Sequence, residues 1–239
     1  MIAILWLVGL WLAGWQALHA EPAASRWQAV LVAGDTAEPV FDNAVDAVGR
    51  WLVDRGVPNA DIHRLSASRQ PRDPTVEPAS AENILNRIAS LRPQPGERCL
   101  IFITSHGQRG EGIWLASSGD YLRPASLARA LSAGCAAVPS VVILSSCYSG
   151  AFTMGAMQAP NRIILTAARA DRPSFGCQAD RTYTVFDECL LAALPRATTW
   201  RAVHAANLGC VQARERRLQV LPSQPQGSFG AAVRDLAVR

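Results

Sequence analysis

Apolar residues in this chain fall into short dense blocks, and these alternate with stretches of helical spacing. WQAVLVAG (27–34) is a continuous apolar run ending on Gly34 and reads as a buried strand. From Asp42 to Arg55 the period changes: Val45, Val48, Trp51 and Leu52 share one helical face, and Gly56 follows as a stop. DIHRLSA (61–67) predicts a second, shorter strand, and the Pro-rich polar segment 68–78 predicts a loop. Ser80 caps a helix to about Leu91 with Ile84, Leu85 and Ile88 inward. CLIFITSHG (99–107) is the third and most apolar strand; a Gly-rich loop follows, with GIWLA (112–116) as a hairpin arm. Pro124 opens a helix through about Ala133. SVVILSSC (140–147) and RIILTAA (162–168) are the fourth and fifth strands. Residues 183–194 and 198–215 have helical patterns separated by Pro195, RLQVL (217–221) predicts a sixth strand, and 229–238 a last helix.

Strands alternating with helices predict an α/β fold, with a mostly parallel six-stranded sheet covered on both faces. No linker is long enough to divide the chain, and 239 residues suit one domain with a full core.

Charge changes this picture little. The net charge is +4, and apart from ARERR (213–217) the basic residues are scattered, so no concentrated face for nucleic acid is expected. The first twenty residues matter more. MIAILWLVGLWLAGWQALHA contains no Lys, Arg, Asp or Glu, and charge returns at Glu21. We read 1–20 as a signal peptide cleaved near Ala20, with retention as a membrane anchor the alternative, and 21–239 as the mature domain. The expected location is periplasmic or extracellular. An oxidising compartment pairs most cysteines. The six are Cys99, Cys135, Cys147, Cys177, Cys189 and Cys210. Cys99 and Cys135 both fall near the amino ends of strands, where a bridge between them is geometrically feasible. No CxxC or clustered Cys/His spacing suggests zinc.

Sites in parallel α/β sheets form outside the carboxyl ends of the strands. Two strands here end on reactive residues, at Ser105-His106-Gly107 and at Ser146-Cys147-Tyr148. If those strands are neighbours, His106 and Cys147 emerge together. A thiol with an ordinary pKa near ~8.5 is mostly protonated at neutral pH, whereas the thiolate is the nucleophile. An adjacent imidazole can stabilise the thiolate and then protonate a leaving amine. The backbone N–H groups of Gly107 and Cys147 are candidate donors to an oxyanion. Gly107 and Gly150 permit tight turns and close substrate approach. His63, early in a short strand, and His204, inside a predicted helix, read as structural. If Cys147 stays free, an odd number of cysteines remains, so at least one more thiol is free or bridges to another chain.

The stretches TSHGQRGEGIWL, LSSCYSG and LTAARADRPSFGC together resemble the legumain (asparaginyl endopeptidase) family of cysteine peptidases in its bacterial form, within the caspase-like clan. The resemblance runs from about Trp27 to Gln226. It implies a caspase-like three-layer α/β/α sandwich, a His106–Cys147 dyad, Gly107 as oxyanion donor and no cofactor or metal. It also implies substrate-binding positions at Asp42, Ser174 and Asp187. Asp42 stands where the family carries an arginine that binds the substrate asparagine, Val40 where it carries an asparagine, and Tyr148 where animal and plant members have an acid. An acid at position 42 suits a basic substrate side chain; the alternative for Asp42 is a helix N-cap. Cys177 reads as structural.

The expected function is a cysteine endopeptidase acting on peptide or protein substrates through a Cys147 acyl-enzyme. The alternatives are a non-catalytic binding protein of the same fold, or a transpeptidase or esterase using the same dyad.

Overall fold

Each long strand sends alternate side chains into two different cores, the consequence of a period of two on a sheet buried on both faces. The computed structural model describes residues 27–68, 73–178 and 180–238. The chain runs β1 (Trp27–Ala33), α1 (Val40–Val53), β2 (Ile62–Ser66), β3 (Glu77–Pro78), α2 (Ala81–Ala89) and β4 (Arg98–Thr104). A small antiparallel unit follows, β5 (Gly107–Gln108), β6 (Gly112–Leu115) and β7 (Asp120–Leu122). Then come α3 (Pro124–Gly134), β8 (Ser140–Ser145), β9 (Arg162–Thr166), α4 (Val185–Ala193), α5 (Trp200–Leu218) and β10 (Gln226–Phe229).

The main sheet has the order β10-β9-β8-β4-β1-β2-β3 and is parallel except for the β9–β10 pair. Ala29 and Leu31 of β1, Leu100 and Phe102 of β4, and Val141 and Ile143 of β8 face the core beneath α1, α4 and α5. Val30 and Val32, Ile101 and Ile103, and Val142 and Leu144 face the core beneath α2 and α3. The result is the three-layer sandwich expected from the alternation of strands and helices.

The differences lie at the ends of the chain and at one edge. RLQVL does not form the sixth strand: α5 runs on to Leu218, Gln219 turns left-handed as its C-cap, and Leu218 and Leu221 are 48% and 54% exposed. Without a face to bury, the apolar alternation there has nothing to pair it. The antiparallel strand instead comes from QGSF, whose Gly227 and Ser228 carry no strand signature; its pairing to Ile163–Thr166 is supplied by backbone hydrogen bonds. The helix expected over 229–238 is reduced to a single 3₁₀ turn, Ala231–Val233. Glu77–Pro78, read as loop, adds a two-residue edge strand, giving seven strands rather than six. Pro78 is tolerated there because an edge position leaves one side unpaired.

Two disulfides are present, Cys99–Cys135 and Cys189–Cys210, and Cys147 and Cys177 are free. The expected leader at 1–20 lies outside the described residues. Among the described residues no helix is long and apolar enough to cross a membrane.

Candidate active site

The parity of β4 and β8 decides where the reactive side chains point. Leu100, Phe102 and Thr104 occupy alternate positions of β4 and Val141, Ile143 and Ser145 the matching positions of β8, on the side covered by α1 and α4; His106 and Cys147 follow two residues beyond each strand. The strands are parallel neighbours with Thr104 opposite Ser145. His106 and Cys147 each lie two residues beyond this last pair, so both leave the sheet at the carboxyl ends of neighbouring strands.

Contacts beyond the strand ends hold this corner together. A Cβ built on Gly107 would lie 2.2 Å from the Cys147 carbonyl oxygen, so only glycine lets the two backbones meet. Gly150 is pressed likewise against 168–170, where a Cβ would lie 2.5 Å from the Ala170 nitrogen. Both glycines therefore serve backbone-to-backbone approach rather than leaving open room for substrate. Trp114 N–H donates to the His106 carbonyl (3.0 Å), and Gly107 pairs with Ile113 in the hairpin. Because antiparallel pairs alternate, Gly107 occupies the non-hydrogen-bonded position and its N–H points away from the hairpin ladder.

The turn after Cys147 is tightly specified. Tyr148 has φ 58°, in the left-handed region that a bulky residue rarely occupies, and its N–H donates to the Arg172 carbonyl at 2.8 Å. Ser149 Oγ donates to the Ser146 carbonyl (2.7 Å) and accepts from Ala168 N–H (3.3 Å). The Phe41 ring, in the first turn of α1, meets the His106 imidazole edge-to-face at 5.2 Å, restraining its plane.

Ser174 reaches the corner through its backbone: its N–H donates to Cys147 Sγ at 3.3 Å, and the thiol donates to its carbonyl at 3.5 Å. Asp187 reaches the same corner from below. It is 0% exposed, and Thr104 Oγ1 donates to its Oδ2 at 2.8 Å. Its own N–H donates to Thr184 Oγ1, the N-cap of α4, and Thr184 Oγ1 lies 3.4 Å from Ser145 Oγ. Burial pushes the Asp187 carboxyl up to about 6, opposed by these hydroxyl hydrogen bonds. Asp42 is turned elsewhere. It does not cap α1, which begins at Val40 after Pro39; it accepts from Ser66 Oγ (2.7 Å) at the end of β2, three strand positions from β8. Burial raises its carboxyl above the ordinary value.

Cys177, read from sequence as structural, belongs to the same neighbourhood. Its thiol is pushed up to about 12, first by burial and then by the charges of Cys147, Asp187, Glu38 and Asp35. The sequence offered one signal for this buried polar group: Thr104, Ser145 and Ser146 interrupt otherwise apolar strands just before their ends. His63 is half-buried in β2 and His204 packs against Phe229 from α5, both away from the β4–β8 corner.

The fold is of caspase-like architecture. Caspase-1 from Spodoptera frugiperda is similar in fold, with a TM-score of 0.59 over 87% of each chain at 14% sequence identity. A model described as the Peptidase C13 family matches residues 81–206, just over half of the chain, a span that includes His106, Cys147 and Asp187. The chain therefore belongs to the Peptidase C13 family, the legumain family of cysteine peptidases. Comparison with curated proteins finds no match.

Proposed function

We propose that the protein is an exported endopeptidase in which Cys147 and His106 form the catalytic dyad. The observation that carries this reading is the β4–β8 register together with the contact of Gly107 on Cys147, which supports a side-by-side thiol and imidazole. In the reaction, the Cys147 thiol gives its proton to His106 and the thiolate adds to the scissile carbonyl. The N–H groups of Gly107 and Cys147 donate to the oxygen that gains charge. As the tetrahedral adduct collapses, the C–N bond breaks and His106 returns the proton to the departing amine. Water, deprotonated by His106, then hydrolyses the thioester and the thiol is restored.

Two further contacts fit this cycle. Ser174 N–H donates to the sulfur, which favours negative charge there. Phe41 against the imidazole fixes its orientation while leaving the ring nitrogens to the reaction. Export is supported by the uncharged apolar residues 1–20 and by two disulfides, which persist in oxidising compartments.

Cleavage of a peptide library by the purified chain tests this directly. Cys147→Ala and His106→Ala should each abolish turnover while the far-UV spectrum is retained. Full peptidase activity in Cys147→Ala would overturn the reading. Ester hydrolysis without peptide hydrolysis would reassign the chemistry to an esterase, and a thiol inert to alkylation would favour a binding protein.

A further inference from the structure

The two disulfides differ in what surrounds their sulfurs. Cys99 and Cys135 are both 0% exposed, within the core beneath α2 and α3. Cys189 is 1% exposed, but Cys210 is only half-buried, and both line a cavity of about 370 Å³ between α4 and α5. Exchange requires a thiolate to reach a disulfide sulfur. Access therefore separates the two bridges: the first is sealed, and the second stands in a cavity wall.

Short side chains make the opening. Ala202, Ala206 and Cys210 recur every four residues along α5 and share one face, and Cys189 and Ala193 are spaced likewise on α4. These alanines and Ala197 line the cavity and leave the space beside the bridge unfilled. Arg196 is the one charged side chain among the described residues of the lining. It is exposed and takes no part in the ion pairs among the described residues. A free guanidinium beside an otherwise uncharged cavity favours a ligand that carries a carboxylate.

We propose that Cys189–Cys210 is a thiol-exchange site that takes a small thiol bearing a carboxylate, of the glutathione class, and that exchange there loosens α4. Arg196 receives the carboxylate, and the thiolate adds to Cys210 Sγ, the sulfur of the more exposed residue. The bond between the two Sγ atoms breaks and a mixed disulfide forms on Cys210. Cys189 leaves with the electron pair and takes up the proton that the small thiol gave up. One disulfide is broken and one is made, so no outside oxidant or reductant enters. The helix stays in place afterwards, because Arg214 of α5 still pairs with Glu188 and because Val185, Phe186 and Leu190 are buried. What α4 loses is its covalent tie to α5, two residues after Asp187. Asp187 accepts from Thr104, and the cap of the same helix, Thr184, lies 3.4 Å from Ser145. The exchange site thereby acts on the helix that meets the ends of β4 and β8.

The test uses the full chain with its reactive free thiols first blocked by iodoacetamide. Reduced glutathione is added, the reaction is stopped with N-ethylmaleimide, and peptides are mapped without reduction. Glutathione should appear on Cys210 and N-ethylmaleimide on Cys189, at least ten-fold faster than any opening of Cys99–Cys135. Glutathione diethyl ester, the same thiol without free carboxylates, should react at least three-fold more slowly at equal thiolate concentration. Arg196→Gln should bring glutathione down to the rate of the ester; the ester comparison itself needs no variant, so it stays decisive if Arg196→Gln fails to fold. Backbone amides of 185–190 should exchange with deuterium at least two-fold faster in the modified chain. No mixed disulfide at Cys210 in protein that keeps its far-UV spectrum, or earlier opening of Cys99–Cys135, overturns the exchange site. Equal rates for glutathione and its ester overturn the carboxylate-bearing class, and unchanged deuterium exchange overturns the loosening of α4.

Discussion

At the scale of single residues, space and burial decide more than residue type. A Cβ on Gly107 would lie 2.2 Å from the Cys147 carbonyl oxygen. Gly107→Ala must push β4 and β8 apart at their reactive ends, and overpacking of this kind costs about 1–3 kcal/mol. The expected outcome is a lower melting temperature with loss of activity larger than the stability change alone produces; a folded, fully active alanine variant would contradict the close approach. The two free thiols should also behave differently. Cys177 is pushed up to about 12 by burial and by surrounding acids. Iodoacetamide at pH 7–9 should therefore modify Cys147 and leave Cys177, as read by peptide mass mapping, and Cys177→Ser should keep the Cys147 labelling rate. Dominant labelling at Cys177 would show that the thiol is far more acidic than its surroundings imply.

At the scale of elements, the informative object is α4, whose first turn inserts a carboxylate beneath two strand ends. Asp187 ordinarily titrates near 3.8, and burial raises it to about 6 in the fold. Well below pH 3.8 the group is protonated in both folded and unfolded chains, so it costs nothing. As pH rises from about 4 to about 6 the unfolded chain ionises first, and the folded state loses relative stability. Above pH 6 the penalty is constant, on the order of 3 kcal/mol. Asp187→Asn should remove this dependence. Denaturation midpoints of the two proteins should diverge in the variant's favour between pH 4 and pH 6.5 and run parallel above; curves parallel throughout would mean that the carboxyl is not held up by burial. The same turn explains why α4 starts where it does, since Thr184 caps it by accepting Asp187 N–H.

At the scale of the whole molecule, the two disulfides join elements on opposite faces of the sheet. Cys99–Cys135 links β4 to the end of α3, and Cys189–Cys210 links α4 to α5. The first spans 36 residues of sequence, for which loop closure in the unfolded chain corresponds to roughly 4 kcal/mol. A Cys99→Ala/Cys135→Ala protein should melt markedly lower yet keep the Cys147 labelling rate at temperatures where it remains folded. An unchanged melting temperature would mean that the bridge adds nothing to the fold. The bridge lies near the amino ends of β4 and β8, whereas the proposed dyad lies beyond their carboxyl ends, at the opposite edge of the same two strands.

Much of this was present in the order of residues. Dense apolar runs spaced by helical segments sufficed for a parallel sheet covered on both faces, because strands buried on two sides have no polar face to show. CLIFITSHG and VVILSSCYSG each ended on a reactive residue followed by a turn, which marked His106 and Cys147 before any contact was known. Local pattern failed where pairing was supplied by backbone alone, as at Gln226–Phe229, and where an apolar alternation had no partner, as at RLQVL. The hydroxyl that meets the Asp42 carboxylate, Ser66 Oγ, comes from β2, two strands over from β4, and that pairing exists only once α1 packs on the sheet. Periodicity and strand-end chemistry are properties of neighbours along the chain, so the sequence by itself determined the sheet and the strand ends at which its candidate residues lie. The contacts around Cys147, from Ser174, Gly107 and the Thr104–Asp187 pair, join distant segments, and only the tertiary structure could decide them.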